Sequence, residues 1–184
     1  MLRVAVLFWL ASLSTQDWER ADRETERLRP AAFPSLPPDI RTDLERRGCT
    51  IPQPFGGGDP RNVISGAFTR AGDVDWAILC SVRRVSTILV YREGSIRNVD
   101  RIGTGPDSAF LQVVTRDRQG NPVAGYSRAI VPADAKHIME HHRDFGGPRP
   151  PPLDHDGIED NFVEKGSSIL YWHRGRWLTL TGMD

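Results

Sequence analysis

Two short apolar segments near the middle of the chain constrain the fold most. They read DWAILCS at 75–81 and STILVY at 86–91. If the first segment is extended, both of its faces are apolar: Trp76, Ile78 and Cys80 share one face, and Ala77 and Leu79 share the other. Such a strand belongs at the centre of a sheet that is covered on both sides. The short basic turn between the segments favours antiparallel pairing.

Further segments of strand and helix character extend this pattern to the whole chain. Strands are expected within 62–91, 109–131 and 158–180, and helices near 38–47 and 133–143. The sequence therefore predicts an α+β fold, in which a mostly antiparallel sheet of meander hairpins packs with two or three short helices. The residues expected in or near its core are Trp76, Ile78, Leu89, Val90, Leu170 and Trp172.

The first fourteen residues have the composition of a signal peptide. Arg3 gives a positive start, and the uncharged apolar run from Val4 to Leu13 is too short to span a bilayer as a helix. Small side chains at Ser12 and Ser14 suit cleavage after Ser14. The alternative is that this run forms the first buried strand or helix. The predicted regions are a signal peptide at 1–14, a charged, proline-rich and loosely docked arm at 15–37, and a single domain at 38–184.

The two cysteines, Cys49 and Cys80, are interpreted in the light of this prediction. A secreted or periplasmic protein meets an oxidising environment, where an even number of cysteines favours a disulfide. Such a bond would stabilise the fold by about 3–4 kcal/mol. The alternative is two buried thiols.

The balance of charge limits the classes of partner. Lys plus Arg and Asp plus Glu both number 24, so no strong field of one sign would attract nucleic acid or an anionic membrane. We expect no nucleic-acid partner, no cofactor and no transmembrane segment after signal cleavage. The partner is unknown, and another envelope protein is one candidate.

The stretch GAFTRAGDVDWAILCS at 66–81 could be a calcium loop or a plain β-hairpin. Calcium takes about 6–8 oxygen ligands, whereas the loop offers only Asp73 and Asp75 as acids, and Arg70 would repel a cation. Gly72 suits a turn position with positive φ. The hairpin is therefore predicted.

A second acidic stretch, LDHDGIED, supplies a better set of calcium ligands. These acids are Asp154, Asp156, Glu159 and Asp160. The alternative is an acidic turn before a strand, with Gly157 at the bend.

The segment HIMEH matches the H-x-x-E-H pattern of inverted zinc peptidases. On a helix, His137 and His141 lie one turn apart and could share a zinc ion, with Glu140 as the base. A third ligand would come from Glu159, Glu164 or His155. The alternative is a solvated helix face with Ile138 and Met139 packed inward.

Two other stretches lack the context that a site needs. FGGGDPRN at 55–62 lacks the GK[ST] end of a phosphate loop and is interpreted as a flexible link. Ser167 and Ser168 have no neighbouring pattern that assigns them a base.

Several of these segments together resemble a family of exported bacterial proteins of unknown function. They span Leu36 to Trp177 and read RRGCTIPQ, NVISGAFTRAGDVDWAILCS, ILVY, DGIED and SSILYWHRGRW. The second is also similar to the FG-GAP or VCBS hairpin, G-D-F-N-G-D-G-x-x-D. The matching positions are Gly66, Phe68, Gly72 and Asp75, and the differing ones are Ala67, Thr69 and Ala71. The resemblance implies secretion and a β-rich fold, with no assigned activity and no catalytic residues.

The sequence therefore predicts a non-catalytic envelope or secreted protein with a binding or structural role, because no nucleophile, base and orienting group form a legible set. The first alternative is a small zinc-dependent hydrolase that uses the HxxEH stretch. The second is a calcium-stabilised adhesion module.

Overall fold

Three α-helices and twelve β-strands lie within residues 13–182, which are the residues that this computed structural model describes. Residues 1–12, which include most of the predicted signal peptide, lie outside the described residues. The helices are α1 (Thr15–Glu24), α2 (Pro38–Arg46) and α3 (Ala135–Phe145). The strands are β1 (Arg27–Leu28), β2 (Ile51–Pro52), β3 (Val63–Gly66), β4 (Asp75–Val82), β5 (Val85–Tyr91), β6 (Val99–Pro106), β7 (Leu111–Arg116), β8 (Pro122–Tyr126), β9 (Arg128–Ala133), β10 (Gly157–Phe162), β11 (Gly166–His173) and β12 (Arg176–Gly182).

Two four-stranded antiparallel sheets form the centre of the fold. The first sheet has the order β3-β4-β5-β6, and the second has the order β12-β11-β10-β9. Two small antiparallel pairs, β1–β2 and β7–β8, complete the strands. The predicted α+β class with mostly antiparallel pairing is confirmed, although the strands are divided among four sheets.

The inner faces of the two central sheets share one apolar core. Ala77 and Leu79 of β4 contribute from the first sheet, and Ile158 and Leu170 contribute from the second. The side chains of β4 that alternate with these, Ile78 and Cys80, belong to a separate core on the outer face. The expectation that β4 is covered on both sides is therefore confirmed.

A helix covers each outer face. Ile40 and Leu44 of α2 pack with Ile78 and Leu89 on the first sheet. On the second sheet, Ile138 of α3 packs with Ile169, Tyr171 and Leu180. The result is four layers in the order α2, first sheet, second sheet, α3. Of the residues expected in or near the core, four are buried and two are half-buried. The buried ones are Ile78, Leu89, Val90 and Leu170, and the half-buried ones are Trp76 and Trp172.

The segment 15–37 differs from the loosely docked arm that was expected. Ala21 of α1 is buried in the inner core, and Trp18 packs against it. Farther along, Phe33 and Leu36 are buried under the first sheet. The few apolar residues of this charged segment thus pack into two cores, the inner core between the sheets and the core on the outer face of the first sheet.

Three predicted boundaries move for local reasons. At the end of the stretch 109–131, in which strands were expected, the chain leaves β8 and enters the second sheet as β9 around Ser127. α3 starts at Ala135, where the Asp134 side chain accepts a hydrogen bond from the His137 backbone N–H at 2.7 Å. Gly157 is the first residue of β10 and not a bend; a Cβ there would lie 3.0 Å from the Leu170 carbonyl oxygen.

Asn62 joins the two sheets just before β3 begins. Its side-chain amide donates to the carbonyl oxygens of Pro52 at 2.7 Å and Arg128 at 3.2 Å. Its side-chain oxygen accepts from the backbone N–H of Ile130 at 2.9 Å. The residue is buried and has a φ of 72°, a conformation that Asn tolerates better than most residues.

Candidate functional site

The acidic residues of the β3–β4 loop stabilise the loop itself. The Asp75 carboxylate accepts hydrogen bonds from the backbone N–H groups of Thr69 and Glu93, both at 2.7 Å, and it is fully buried. Asp73 forms an ion pair with Arg70 at 3.0 Å. Because β3 and β4 pair as an antiparallel hairpin around this loop, the hairpin prediction is confirmed.

The four acids of the second stretch each contact a different partner, which for Glu159 is His137. Asp154 accepts a hydrogen bond from the Tyr171 hydroxyl at 3.2 Å, and Asp156 accepts one from the Ala67 backbone N–H at 3.3 Å. Asp160 receives two bonds from the guanidinium of Arg128, at 2.8 and 2.7 Å, between the two sheets. Within residues 13–182, no three side chains of His, Cys, Asp or Glu are grouped so that they could hold a metal ion.

Two of the three histidines of α3, His137 and His141, also have different partners. His137 Nε2 lies 3.0 Å from Glu159 Oε2, whereas His141 Nε2 lies 2.8 Å from Ser167 Oγ. Glu140 lies 4.0 Å from Lys136 on the solvent side of the helix. Burial lowers the pKa of His141 and so favours the neutral imidazole. The helix presents both histidines to the second sheet, where they meet separate side chains.

Of the other proposed zinc ligands, His155 packs elsewhere in the fold. Its ring stacks on Tyr171 with centroids 4.3 Å apart, and its Nε2 lies 3.0 Å from the carbonyl oxygen of Trp172. Only Glu159, among the proposed third ligands, contacts an α3 histidine in the described residues.

The partner of Ser167 could not be found from local sequence. His141 precedes Ser167 by 26 positions and reaches it because α3 lies across β11. The serine is half-buried and the histidine is buried. The contact therefore fixes α3 on the second sheet.

The predicted disulfide between Cys49 and Cys80 is present, and it connects the end of α2 to β4. Next to it, the backbones of Thr50 and Ser81 exchange two hydrogen bonds of 3.0 and 2.8 Å. Covalent and backbone links thus attach α2 to the first sheet at one point.

A cavity of about 350 Å³ lies beneath the loop that joins β2 to β3. We call it the glycine-loop cavity. Its wall is formed by the end of α1, by the loop itself and by β8. The side chains that determine its chemistry are Glu24, Glu26, Phe55, Asp59, Arg61 and Ala124.

The loop above this cavity is held at both ends by one buried side chain. The Gln53 amide nitrogen donates to the carbonyl oxygens of Ile51 at 3.0 Å and Arg61 at 3.1 Å, and its oxygen accepts from the Arg61 N–H at 2.7 Å. Between these anchors, glycines 56–58 have φ values of 101°, 64° and 102°. These values are open to glycine and strained for other residues. The interpretation of FGGGDPRN as a flexible link did not include this anchoring, because the hydrogen bonds of Gln53 follow no local sequence motif.

The lining combines half-buried apolar side chains with exposed charged ones. Phe55 and Ala124 supply apolar surface, and three carboxylates and one guanidinium surround them. A concave site with apolar walls and a few polar groups is the usual form of a small-molecule site.

In residues 13–182, none of the helices has the length and apolar character needed to cross a bilayer. Comparison of the chain with protein-family models, with curated proteins and with solved structures found no match.

Proposed function

We propose that this chain is an exported, non-catalytic binding domain and that a small-molecule ligand occupies the glycine-loop cavity. The observation that carries the proposal is the cavity itself, which has an anchored glycine loop as its roof and both apolar and charged lining. Binding sites of this kind are few in a protein of this size.

The arrangement of the histidines supports binding over metal-dependent hydrolysis. A catalytic zinc ion needs three protein ligands that converge on one point. His137 and His141 instead contact Glu159 and Ser167, respectively.

Two features support export to the periplasm or the cell exterior. The N-terminal sequence has the order of charge, apolar run and small residues that signal peptides share. The disulfide between Cys49 and Cys80 is of a kind that persists in oxidising compartments. A neighbouring envelope protein is a candidate partner of the exported domain.

A screen of small fragments by ¹⁵N–¹H NMR tests the binding proposal on the oxidised protein. We expect bound fragments to shift the amide signals of residues 24–28, 53–61 and 124–126. The variant Ala124→Phe should abolish these shifts, because the ring would fill the cavity that Ala124 lines. The control is Ala109→Phe, which changes an exposed alanine away from the cavity and should leave the shifts unchanged. Fragments that bind only elsewhere, or that bind Ala124→Phe equally well, would contradict the proposal.

A further inference from the structure

The first sheet is longer than the helix that covers its outer face. Ile78 and Leu89 are buried on this face, whereas Val82 and Val85, nearer the β4–β5 turn, are 37% and 43% exposed. The uncovered end forms an open cleft of about 290 Å³, separate from the glycine-loop cavity. We call it the arginine cleft, for the two arginines that line it, Arg47 and Arg101.

The floor of the arginine cleft is mainly apolar. Val82 and Val85 are direct partners across the β4–β5 pair, and Leu89 continues the surface towards α2. Cys80, one half of the disulfide, and Thr87 also line the cleft. An apolar chain placed here would cover Val82 and Val85, the two floor residues that are exposed to water.

The charged groups that line this cleft are both cationic. Arg101 lies on β6 opposite Leu89, and its side chain forms no hydrogen bond or ion pair with the described residues. Arg47 donates through Nε to Asp43, which also accepts bonds from Arg46 and from the Tyr91 hydroxyl. Asp43 therefore has a second cationic partner in Arg46, and Arg47 donates to it through Nε alone.

The turn beside the cleft adds two more arginines in a strained conformation. Arg83 and Arg84 have φ values of 52° and 64°, where a residue other than Gly or Asn is disfavoured. Arg84 is tied to α1 by a 2.9 Å bond to the Asp22 carbonyl oxygen, while Arg83 is exposed. A two-residue hairpin turn requires positive φ at both positions, so the conformation belongs to the turn and places both arginines beside the cleft.

From this juxtaposition we propose that the arginine cleft binds an amphipathic carboxylate of the fatty-acid type. The carboxylate head lies between Arg47 and Arg101, and the apolar chain lies over Val82, Val85 and Leu89. A carboxylate accepts two parallel hydrogen bonds from a guanidinium, which gives the head group both charge and geometry. The chain as a whole is balanced in charge, so the cationic lining is a local feature.

Titration with octanoate, octylamine and octanol tests the head group and the chain separately. Octanoate should bind and shift the amide signals of residues 80–89 and 101, and octylamine and octanol should bind at least tenfold more weakly. Arg101→Gln should weaken octanoate binding about tenfold, because it removes a charge-assisted contact. Arg101→Lys should retain part of the affinity, and Val85→Ser should weaken binding through the chain.

The matched control is Arg118→Gln, since Arg118 is exposed, lies in the β7–β8 turn and is not part of the cleft. This variant should bind octanoate as the parent does. Urea unfolding of each variant establishes that it is folded. Equal binding of octylamine and octanoate, or unchanged affinity in Arg101→Gln, would overturn the inference. The inference would also be overturned if the protein sediments with phosphatidylglycerol vesicles but does not bind octanoate. That result would indicate a membrane surface as the ligand. Shifts confined to residues 53–61 would assign octanoate to the glycine-loop cavity instead.

Discussion

Asp43 shows how one buried carboxylate organises its surroundings. Its side chain is only 1% exposed, and it accepts hydrogen bonds from Arg46, Arg47 and Tyr91. Burial by itself would raise the pKa of this carboxyl, but the bonds from the two arginines and the tyrosine outweigh it and lower the pKa. The same burial and the contact with Asp43 raise the pKa of Tyr91. The charged form of Asp43 therefore stabilises the packing of α2 on β5.

We predict that Asp43→Asn lowers the free energy of unfolding by about 3 kcal/mol at pH 7, since it breaks a buried ionic network. A carboxyl with a lowered pKa in the folded state stabilises the protein above its unfolded pKa of about 3.9, and the effect is lost as the pH falls through the folded value. The difference between parent and variant should therefore shrink below about pH 4. Urea unfolding as a function of pH measures this.

The control for this prediction is Asp39→Asn, on the exposed first turn of the same helix. It should cost no more than about 1 kcal/mol, through the helix dipole alone. Equal unfolding midpoints for the two variants would show that the Asp43 network does not stabilise the fold.

At the scale of elements, the disulfide is the strongest link between α2 and the first sheet. It joins residues 31 positions apart, and a loop of this size should stabilise the protein by about 3–4 kcal/mol. We predict that the double variant Cys49→Ala/Cys80→Ala loses about this amount in chemical denaturation. A reducing agent should lower the stability of the parent to a similar value and should leave the double variant unchanged. A parent that unfolds identically with and without reductant would contradict the prediction.

The elements that could be predicted from sequence are those with a regular local pattern. β4 and β5 are continuous apolar runs that share a short turn, and successive residues of β4 lie on opposite faces of the sheet as expected. Asp75 was correctly assigned to a hairpin, because the calcium alternative lacked oxygen ligands. β10 begins at Gly157, one residue before the stretch 158–180 in which strands were expected, but its glycine and acids have the composition of a turn and were interpreted as one. In the structure, neighbouring strands stabilise this segment as a strand. Leu170 pairs with Ile158, and Arg128 donates to the Asp160 carboxylate.

The sites themselves were not predictable in the same way. The glycine-loop cavity requires α1 to dock against β8, and the charged composition of α1 gave little sign of docking. The arginine cleft exists because α2 covers only part of the first sheet. Its presence therefore depends on the length of α2 and on the length of β4 and β5, which are separate segments of the chain. Contacts between distant parts of the chain leave no local periodicity, so sequence patterns cannot reveal them.

At the scale of the whole molecule, the start of α1 bears on the export proposal. Ser14 Oγ accepts from the Asp17 N–H at 3.3 Å, and Asp17 accepts from the Ser14 N–H at 2.9 Å. Cleavage after Ser14 would remove this cap. We predict that protein recovered from the periplasm of an expressing bacterium begins at Thr15, as intact-mass measurement would show. A mass that includes residues 1–14 would contradict signal cleavage at this site.

A chain that begins at Leu13 serves as the comparison for the exported form. It retains the cap and should be more stable by about 1 kcal/mol. α1 should remain docked in both forms, because Trp18 and Ala21 pack on the inner core.

The position of Asn62 has a consequence for the order in which the molecule is assembled. Two of its partners, Arg128 and Ile130, follow it by 66 and 68 residues. During synthesis, the seam between the sheets cannot close until that later part of the chain has emerged. Until then the first sheet, whose last strand ends at Pro106, lacks its native contact with the second sheet.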